Sequence, residues 1–514
     1  MRENVKSRGP DARKRHEVSS WWNIRMALER DSPGREFSWV WVWLTLSASL
    51  LTGLLVAAVL WGSTRAEHRD AFDTGWKSAA AVLAILAAVI TVERLRLGQR
   101  EHYRQLASDR AREITELSAK ASEQLGSEKA AVRIGGLTDL ERLGQSYPQL
   151  RQTVIDRICA YLRGPYEPPP DRTRSGEPPG DAEPKLDAEE IAARRLELDV
   201  RRTAQNVLRR HLRPPGISIG EDFDPEGTRP EQEAYWEEVR IDLRDAVLVE
   251  FDLANCRLWS ADFQGATFHG PTDFHGTDFD GQLSFAFATF VGRAFFSHAE
   301  FRLRADFGSA RFDQVSFRDA SFPAGASFRR AHFREEAVFE RSDPDVADFS
   351  EATFSGPLRF ERVTFRKSLN SEIFDAENPH RTGRRPSASF VGAKFEGDVR
   401  VEMCVFQQGV RFTDAVFEKR AIFVTTRFSG GADFAGASFK TRLSIDGGNF
   451  TGPVDWSNAT FAGGVLVDET FAVQSDEHRW PDGWGLAPEQ FDAHPLAGLV
   501  RDEDPPAFRV TTGG

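Results

Sequence analysis

From Phe263 to Phe461 a phenylalanine recurs at steps of five and six residues, and two positions before most of them stands alanine or another small residue. Ala261/Phe263, Ala266/Phe268, Ala288/Phe290, Ala305/Phe307, Ala352/Phe354 and Ala437/Phe439 are examples. In a straight strand side chains alternate with period two, so rings five apart point to opposite faces and rings six apart to the same one. A flat sheet cannot bury both sets. If the backbone turns a corner between successive phenylalanines, each short side aims its ring and its small residue inward, and four sides close into one coil. Coils stacked at the inter-strand spacing of about 4.8 Å place ring over ring and alanine over alanine. The corners demand tight or positive-φ turns, which Gly265, Gly292, Gly325, Gly392 and Gly436 can supply.

The rival reading is helical, because eleven residues, a five plus a six, advance close to a whole number of α-helical turns. Composition argues against it. The segment is rich in Phe, Gly, Thr, Ser and Asp and poor in Leu, Lys and Glu, which is strand-and-turn chemistry.

The run Ile241-Asp242-Leu243-Arg244-Asp245-Ala246-Val247-Leu248, then Phe251-Asp252-Leu253-Ala254-Asn255, then Ala261-Asp262-Phe263-Gln264-Gly265-Ala266-Thr267-Phe268, resembles the pentapeptide-repeat proteins. Their unit is a small residue, Asp or Asn, Leu or Phe, and two variable residues. The resemblance covers residues 241–471 and implies a right-handed quadrilateral β-helix. Six-residue sides, beginning between Phe268 and Phe274, depart from the family pattern and predict coils of about 22 residues in place of 20. About ten coils would make a rod on the order of 50 Å long. Between Phe365 and Phe390 the rhythm lapses, and the run from His380 through Arg381, Arg384 and Arg385 to Pro386 reads as an excursion from one side. Such a loop is where a solenoid often carries its contacts.

Cys159, Cys256 and Cys404 lie far apart with no paired spacing, which fits buried small residues in a reducing compartment and neither a disulfide framework nor a zinc site. Arginine outnumbers lysine, the usage of a GC-rich bacterial genome. Residues 38–62 are uncharged and apolar, longer than the roughly 20 that a helix needs to cross hydrocarbon. Trp39, Trp41, Trp43 and Trp61 fall near its ends, where indoles favour the headgroup boundary. The shorter stretch 78–92 predicts a second span, with a re-entrant or interfacial helix as its rival. Arginines crowd the flanks before the first and after the second stretch, whereas the loop between them holds Arg65, Arg69 and Lys77 beside Glu67, Asp70 and Asp73. That bias predicts both termini on the cytoplasmic side of a bacterial plasma membrane.

The second span should continue as a charged helix to about Leu125, with Ile114, Leu117, Ala121 and Leu125 at helical spacing. Amphipathic helices follow over 130–143 and 149–162, parted by Gly144-Gln145-Ser146-Tyr147-Pro148, and another over 189–212. The run Glu123 to Leu137 resembles the helical segment often found ahead of pentapeptide repeats in membrane-anchored members, and is loosely similar to a HEAT-like hairpin. Tyr235, Trp236 and Val239 could plug one open end of the solenoid, and Trp480 and Trp484 the other, a ligand cage being the alternative for the latter pair. The tail from Arg501, with Pro505 and Pro506, is expected to be mobile.

The predicted order is therefore a basic segment (1–36), a two-helix transmembrane hairpin (37–97), a helical region (98–165), a Pro-rich linker (166–187), a helix and cap (188–240), the β-helix (241–471) and a terminal cap and tail (472–514).

No phosphate loop, dinucleotide fingerprint, nucleophile elbow, HExxH or paired-cysteine metal site occurs, and no catalytic, cofactor-binding or metal-ligating residue is assigned. His269 and His275 are placed at variable corners, and the Asp343-Pro344-Asp345-Val346-Ala347-Asp348 carboxylates at a solvated corner. Asp262, Asp273, Asp278, Asp306 and Asp348 each precede an interior ring and should face solvent or make turn hydrogen bonds. Strongly acidic rods of this family can imitate duplex DNA, but beyond the first coils arginines nearly balance the carboxylates. The expectation is a non-enzymatic, membrane-anchored scaffold for an unidentified protein partner, without nucleic acid, and with homo-oligomers possible. An inhibitor of a DNA-binding enzyme such as a topoisomerase, or part of a channel or transporter, are the alternatives.

Overall fold

The computed structural model describes residues 68–170, 187–215, 234–366, 386–473, 475–481, 484–487 and 507–512, together with positions 43, 47, 49–56, 58 and 59. The chain falls into two compact units, residues 1–113 and 114–514.

Helix α1 (His68–Leu125) begins in the first unit and ends in the second. It contains the whole 78–92 stretch and runs on through the charged segment. Among the described residues no helix is long and apolar enough to cross a membrane. Most of 38–62 lies outside the described residues, and the two expected spans are unconfirmed.

In the second unit α2 (Ala130–Ser146), a short 3-10 turn (Pro148–Leu150), α3 (Arg151–Leu162) and α4 (Ala188–Leu212) pack around Leu137, Leu140, Ile155, Ile158 and Leu208. Asp187 caps α4 by accepting from the Glu190 N–H at 2.7 Å. Gly144 was expected in a connecting loop. It lies inside α2, because a buried tryptophan ring packs against it and the tertiary contact outweighs glycine's poor helix propensity. Of the Gly135-Gly136 pair, only Gly136 needs to be small: a Cβ there would meet the Ala121 carbonyl and the Gln124 side chain at 3.0–3.1 Å, where α1 crosses α2.

Beyond Val239 the chain winds into a four-sided solenoid of parallel strands. One face is a ten-stranded sheet from Arg240–Asp242 to Val454–Asp455. Along it Ile241 pairs with Ala261, Ala261 with Leu283, Leu283 with Ala305, Ala305 with Ala326 and Ala326 with Ala347. These are steps of 20, 22, 22, 21 and 21 residues, so the six-residue sides do lengthen the coil. Ala347 then pairs with Ala388, a step of 41. The extra chain leaves after Thr364–Phe365 and rejoins at Ala388–Ser389, one corner, and the stacking resumes in register on either side of it. The predicted excursion itself, including His380 to Arg385, lies outside the described residues.

The solenoid's first coil has no coil before it, and glutamine amides stand in. Gln152 of α3 accepts from the Arg240 N–H (2.8 Å) and donates to its carbonyl (2.9 Å). Gln205 of α4 does the same for Val249, at 3.3 and 3.0 Å. Trp236 and Val239 are buried beside them, Tyr235 half-buried. The hydrophobic core is consequently continuous from the helices to Ala472.

At the far end Trp456 lies over Phe434, and Trp484 packs on Trp456 and Phe461 with ring centroids 5.7 and 5.8 Å away. The expected mobility of the tail is corrected over its last residues. Ala507–Thr512 forms a strand, antiparallel both to Phe471–Val473 of the last coil and to Trp484–Ala487. An open edge of unpaired N–H and C=O groups attracts such a strand. Residues 501–506 lie outside the described residues.

Candidate interaction surface

Inside the solenoid the rings form columns. Phe263, Phe285, Phe307, Phe328, Phe349, Phe390, Phe412 and Phe434 succeed one another at 4.8–5.1 Å, with interplanar angles of 2–7°. A second column runs from Phe268 through Phe290, Phe312, Phe333, Phe354, Phe395, Phe417 and Phe439 to Phe461. Neighbouring columns meet edge to face, as Phe285 and Phe296 do at 5.6 Å and 81°, an arrangement suited to the ring quadrupole. On another face Pro344 takes the ring position between Phe322 and Phe365, and the sheet there divides into two. Proline lacks the N–H that a ladder needs. The Asp343–Asp348 run is thus more than a solvated corner: Asp343–Pro344 ends one side with Pro344 buried, and Ala347–Asp348 begins the next.

The corners adopt positive φ, with Gly265, Gly325, Gly392 and Gly436 between +64° and +80°. Long or charged residues do so as well, among them Phe287 (+60°), Arg330 (+58°), Glu351 (+60°), Arg362 (+55°) and Met403 (+53°). Of the aspartates preceding interior rings, Asp262, Asp273, Asp306 and Asp348 accept from the backbone N–H two residues on at 2.8–3.0 Å, which fixes the corner that follows. Burial pushes the carboxyls of Asp273 and Asp278 above the ordinary range, with neighbouring carboxylates Asp252 and Glu300 adding to it.

Outside, the walls are laced by ion pairs between successive coils. Arg341 reaches Asp319 at 2.7 Å, Arg318 reaches Glu340 at 2.6 Å, Arg330 reaches Glu351 at 2.7 Å and Arg420 reaches Asp398 at 2.8 Å. The Arg341 guanidinium holds the Asp319 carboxyl below its usual value. Each pair adds little stability. Together they neutralise the wall beyond the first coils.

Three large apolar side chains interrupt this polar exterior near its start: Trp259, Phe287 and Leu303 are each about half or more exposed. Trp259 and Leu303 occupy equivalent corners two coils apart, and Gly281 holds that corner in the coil between, where a Cβ would lie 1.9 Å from the Trp259 carbonyl oxygen. Phe287 stands at the next corner round the coil. Sequence reading missed this trio because each falls at a variable position of the repeat.

The other candidate positions carry no converging chemistry. His275 lies against His298 at 5.2 Å, and among the described residues no cluster of three or more ligating groups could hold a metal. Cys159, Cys256 and Cys404 are buried, and desolvation pushes each thiol up to about 12. A polar groove lined by Gln149, Arg151, Gln152, Tyr235, Glu237 and Glu238 marks where the helices meet the first coil.

The family model for pentapeptide repeats (9 copies) matches residues 254–300, 296–343 and 387–427, each stretch within the solenoid. This is a pentapeptide-repeat protein. The break in the pentapeptide-repeat match between 343 and 387 falls where Pro344 replaces a ring and where the 41-residue step occurs. Coils before 254 and after 427 stack in the same register without being matched. No curated protein matches the chain.

Proposed function

We propose that this pentapeptide-repeat chain is a non-enzymatic scaffold, anchored in a bacterial plasma membrane with both termini cytoplasmic, whose β-helix presents rigid walls to a protein partner. The observation that carries the reading is the filled interior. Continuous ring columns occupy the space within the coils, so functional contact is left to the walls and corners. The exposed trio Trp259, Phe287 and Leu303 is the surface best suited to a partner, since aromatic anchors dominate binding energy at interfaces.

Anchoring is supported by composition and exposure together. Leu50, Leu51, Leu54, Leu55 and Val59 in the first apolar stretch, Leu83 and Val89 in the second, and Trp76 just before it lie open, an arrangement that lipid would cover. Charge mimicry of duplex DNA is the alternative, and the inter-coil ion pairs weigh against it.

Two measurements test the reading. The chain should stay with the membrane fraction through alkaline extraction, and a chain lacking residues 38–92 should leave it. Partners captured by crosslinking in native membranes should be lost with a Trp259→Ser, Phe287→Ser double substitution. Release of the intact chain by alkali would remove the anchor; capture unchanged by the double substitution would remove this surface. Slowing of topoisomerase supercoiling at low salt would favour mimicry.

A further inference from the structure

The ten-stranded wall that begins at Arg240–Asp242 ends at Val454–Asp455. In the coils before it, the N–H that opens this side donates to a backbone carbonyl of the next coil, as Val410 does to Gly431 at 3.1 Å and Ala432 to Pro453 at 2.9 Å. At Val454 the acceptor is a side chain. The Val454 N–H donates to Nδ1 of His478 at 3.1 Å, and Nε2 of the same ring lies 2.5 Å from the Val473 carbonyl oxygen. The segment that carries the ring completes the rung: the Arg479 N–H donates to the Val454 carbonyl and the Trp456 N–H to the Arg479 carbonyl, both at 2.8 Å. Trp480 rests against the His478 ring, centroids 5.2 Å apart. A backbone N–H only donates, so Nδ1 keeps its lone pair, and the ring is the neutral tautomer whose Nε2–H donates to Val473.

We propose that His478 is a proton-operated latch, and that uptake of a second proton by its ring frees residues 475–481 from the wall and bares the Val454–Asp455 edge. An imidazolium carries N–H on both nitrogens, so at Nδ1 the bond to Val454 is lost and two donors are left facing each other. The charged groups around the ring are Asp476 and Glu477, exposed on its own turn, Arg479 paired with Asp455 of the wall at 3.5 Å, and Arg509, the register partner of Phe471 on the terminal strand. Phe471, Ala472 and Val473 bring no charge. Between about pH 7.5 and 5.5 carboxylates and guanidinium groups ordinarily hold their charge, whereas imidazole passes from mostly neutral to mostly protonated. The latch is therefore closed at the upper value and open at the lower. Gln152 and Gln205, which close the first coil in the same manner, have amides that do not titrate, so their bonds are indifferent to this change. The latch does not depend on the scaffold reading or on the anchor.

The test is amide hydrogen exchange of the full chain in detergent micelles, corrected for the intrinsic pH dependence of exchange and read over peptides spanning Val454 to Trp456 and Ser475 to Pro481. Protection there should fall at least about tenfold between about pH 7.5 and 5.5 and return when the pH is restored, while peptides around Phe307 keep theirs. His478→Gln supplies an amide oxygen that accepts from Val454 at either pH, so its protection should hold at both. His478→Ala removes the acceptor and should show at pH 7.5 the exchange that the parent shows in acid. Protection in the parent that acid leaves unchanged would overturn the proposal, as would full protection of His478→Ala at pH 7.5. A His478→Gln chain that loses protection in acid as the parent does would overturn it by placing the decisive proton elsewhere, and loss that extends to the Phe307 peptides would do so by showing that the coils themselves open.

Discussion

The side-chain amide of Gln152 bonds both backbone groups of Arg240, accepting at 2.8 Å and donating at 2.9 Å, and so occupies the place that a preceding strand would take. The first coil's edge is thereby closed by a helix. Gln152→Ala leaves that N–H and carbonyl to water or to nothing, and two bonds of this kind are worth about 1–2 kcal/mol together. Urea unfolding of the variant should show that loss with an unchanged slope. A midpoint equal to the parent's would mean that the edge needs no partner.

Gly144 tests the same end from within. The ring of Trp236 stacks on His211, centroids 4.0 Å apart, and a Cβ at Gly144 would lie 2.4 Å from a Trp236 ring carbon. Alanine would bring about 1 kcal/mol of helix propensity. Displacing a buried indole costs about 1–3 kcal/mol, so Gly144→Ala should be destabilising on balance. Thermal unfolding decides it, and a raised midpoint would show that the tryptophan is free to move.

Two phenylalanines of the same repeat should behave in opposite ways. Phe307 is fully buried between Phe285 and Phe328, and Phe307→Ala should cost about 3–5 kcal/mol. Phe287 is 61% exposed at φ +60°. Glycine there relieves about 1–2 kcal/mol of left-handed strain against about 0.5–1 kcal/mol of lost chain entropy, so Phe287→Gly should gain up to about 1.5 kcal/mol. Equal losses at both sites in guanidinium unfolding would contradict the assignment of inside and outside.

These contrasts mark what the sequence makes legible. The cadence of rings reports the four-sided coil because only a corner reconciles five- and six-residue steps with one interior, and the lapse after Phe365 is visible for the same reason. Arg330, Glu351 and Met403 at left-handed corners give no such signal, since their conformation is imposed by the coil above and below and not by their own preferences. Gln152 and Gln205 were equally silent: each is one polar residue on an amphipathic helix until the coil it closes is in place. The exposed trio is hidden by the variable positions that hold it.

Asp273 supplies a pH signature. Burial, with Asp252 beside it, keeps its carboxyl above the ordinary range against the His275 N–H that lowers it. A folded-state value raised above the unfolded one means that the ionised form subtracts stability as pH rises through the folded value. The penalty is absent below the unfolded value of about 3.9. Asp273→Asn keeps the oxygen that accepts from His275 at 2.8 Å and removes the charge. The site is partly open to solvent, so the gain at pH 7 should stay under about 1 kcal/mol and fade towards pH 3. A loss at pH 7, or a gain that persists at pH 3, would contradict the cause assigned.

The opposite end is closed by chain that returns from beyond the repeat. Ala507–Thr512 pairs Arg509 with Phe471, Phe508 with Ala472 and Ala507 with Val473, in antiparallel register, and gives the last coil of that face a neighbour. A chain ending at residue 506 would leave that edge bare, next to a core whose last rings, Phe461 and Trp456, are capped by Trp484 on a strand held by the same segment. Bare edges of parallel coils invite end-to-end stacking, so the truncated chain should form elongated assemblies at concentrations where the full chain does not. The repeats themselves should keep their fold, because each coil depends mainly on its neighbours. Light scattering together with circular dichroism separates the two effects. Truncated chains that scatter no more than the full chain would show that the terminal strand does not guard the edge, whereas growth of scattering with an unaltered β spectrum is the expected outcome.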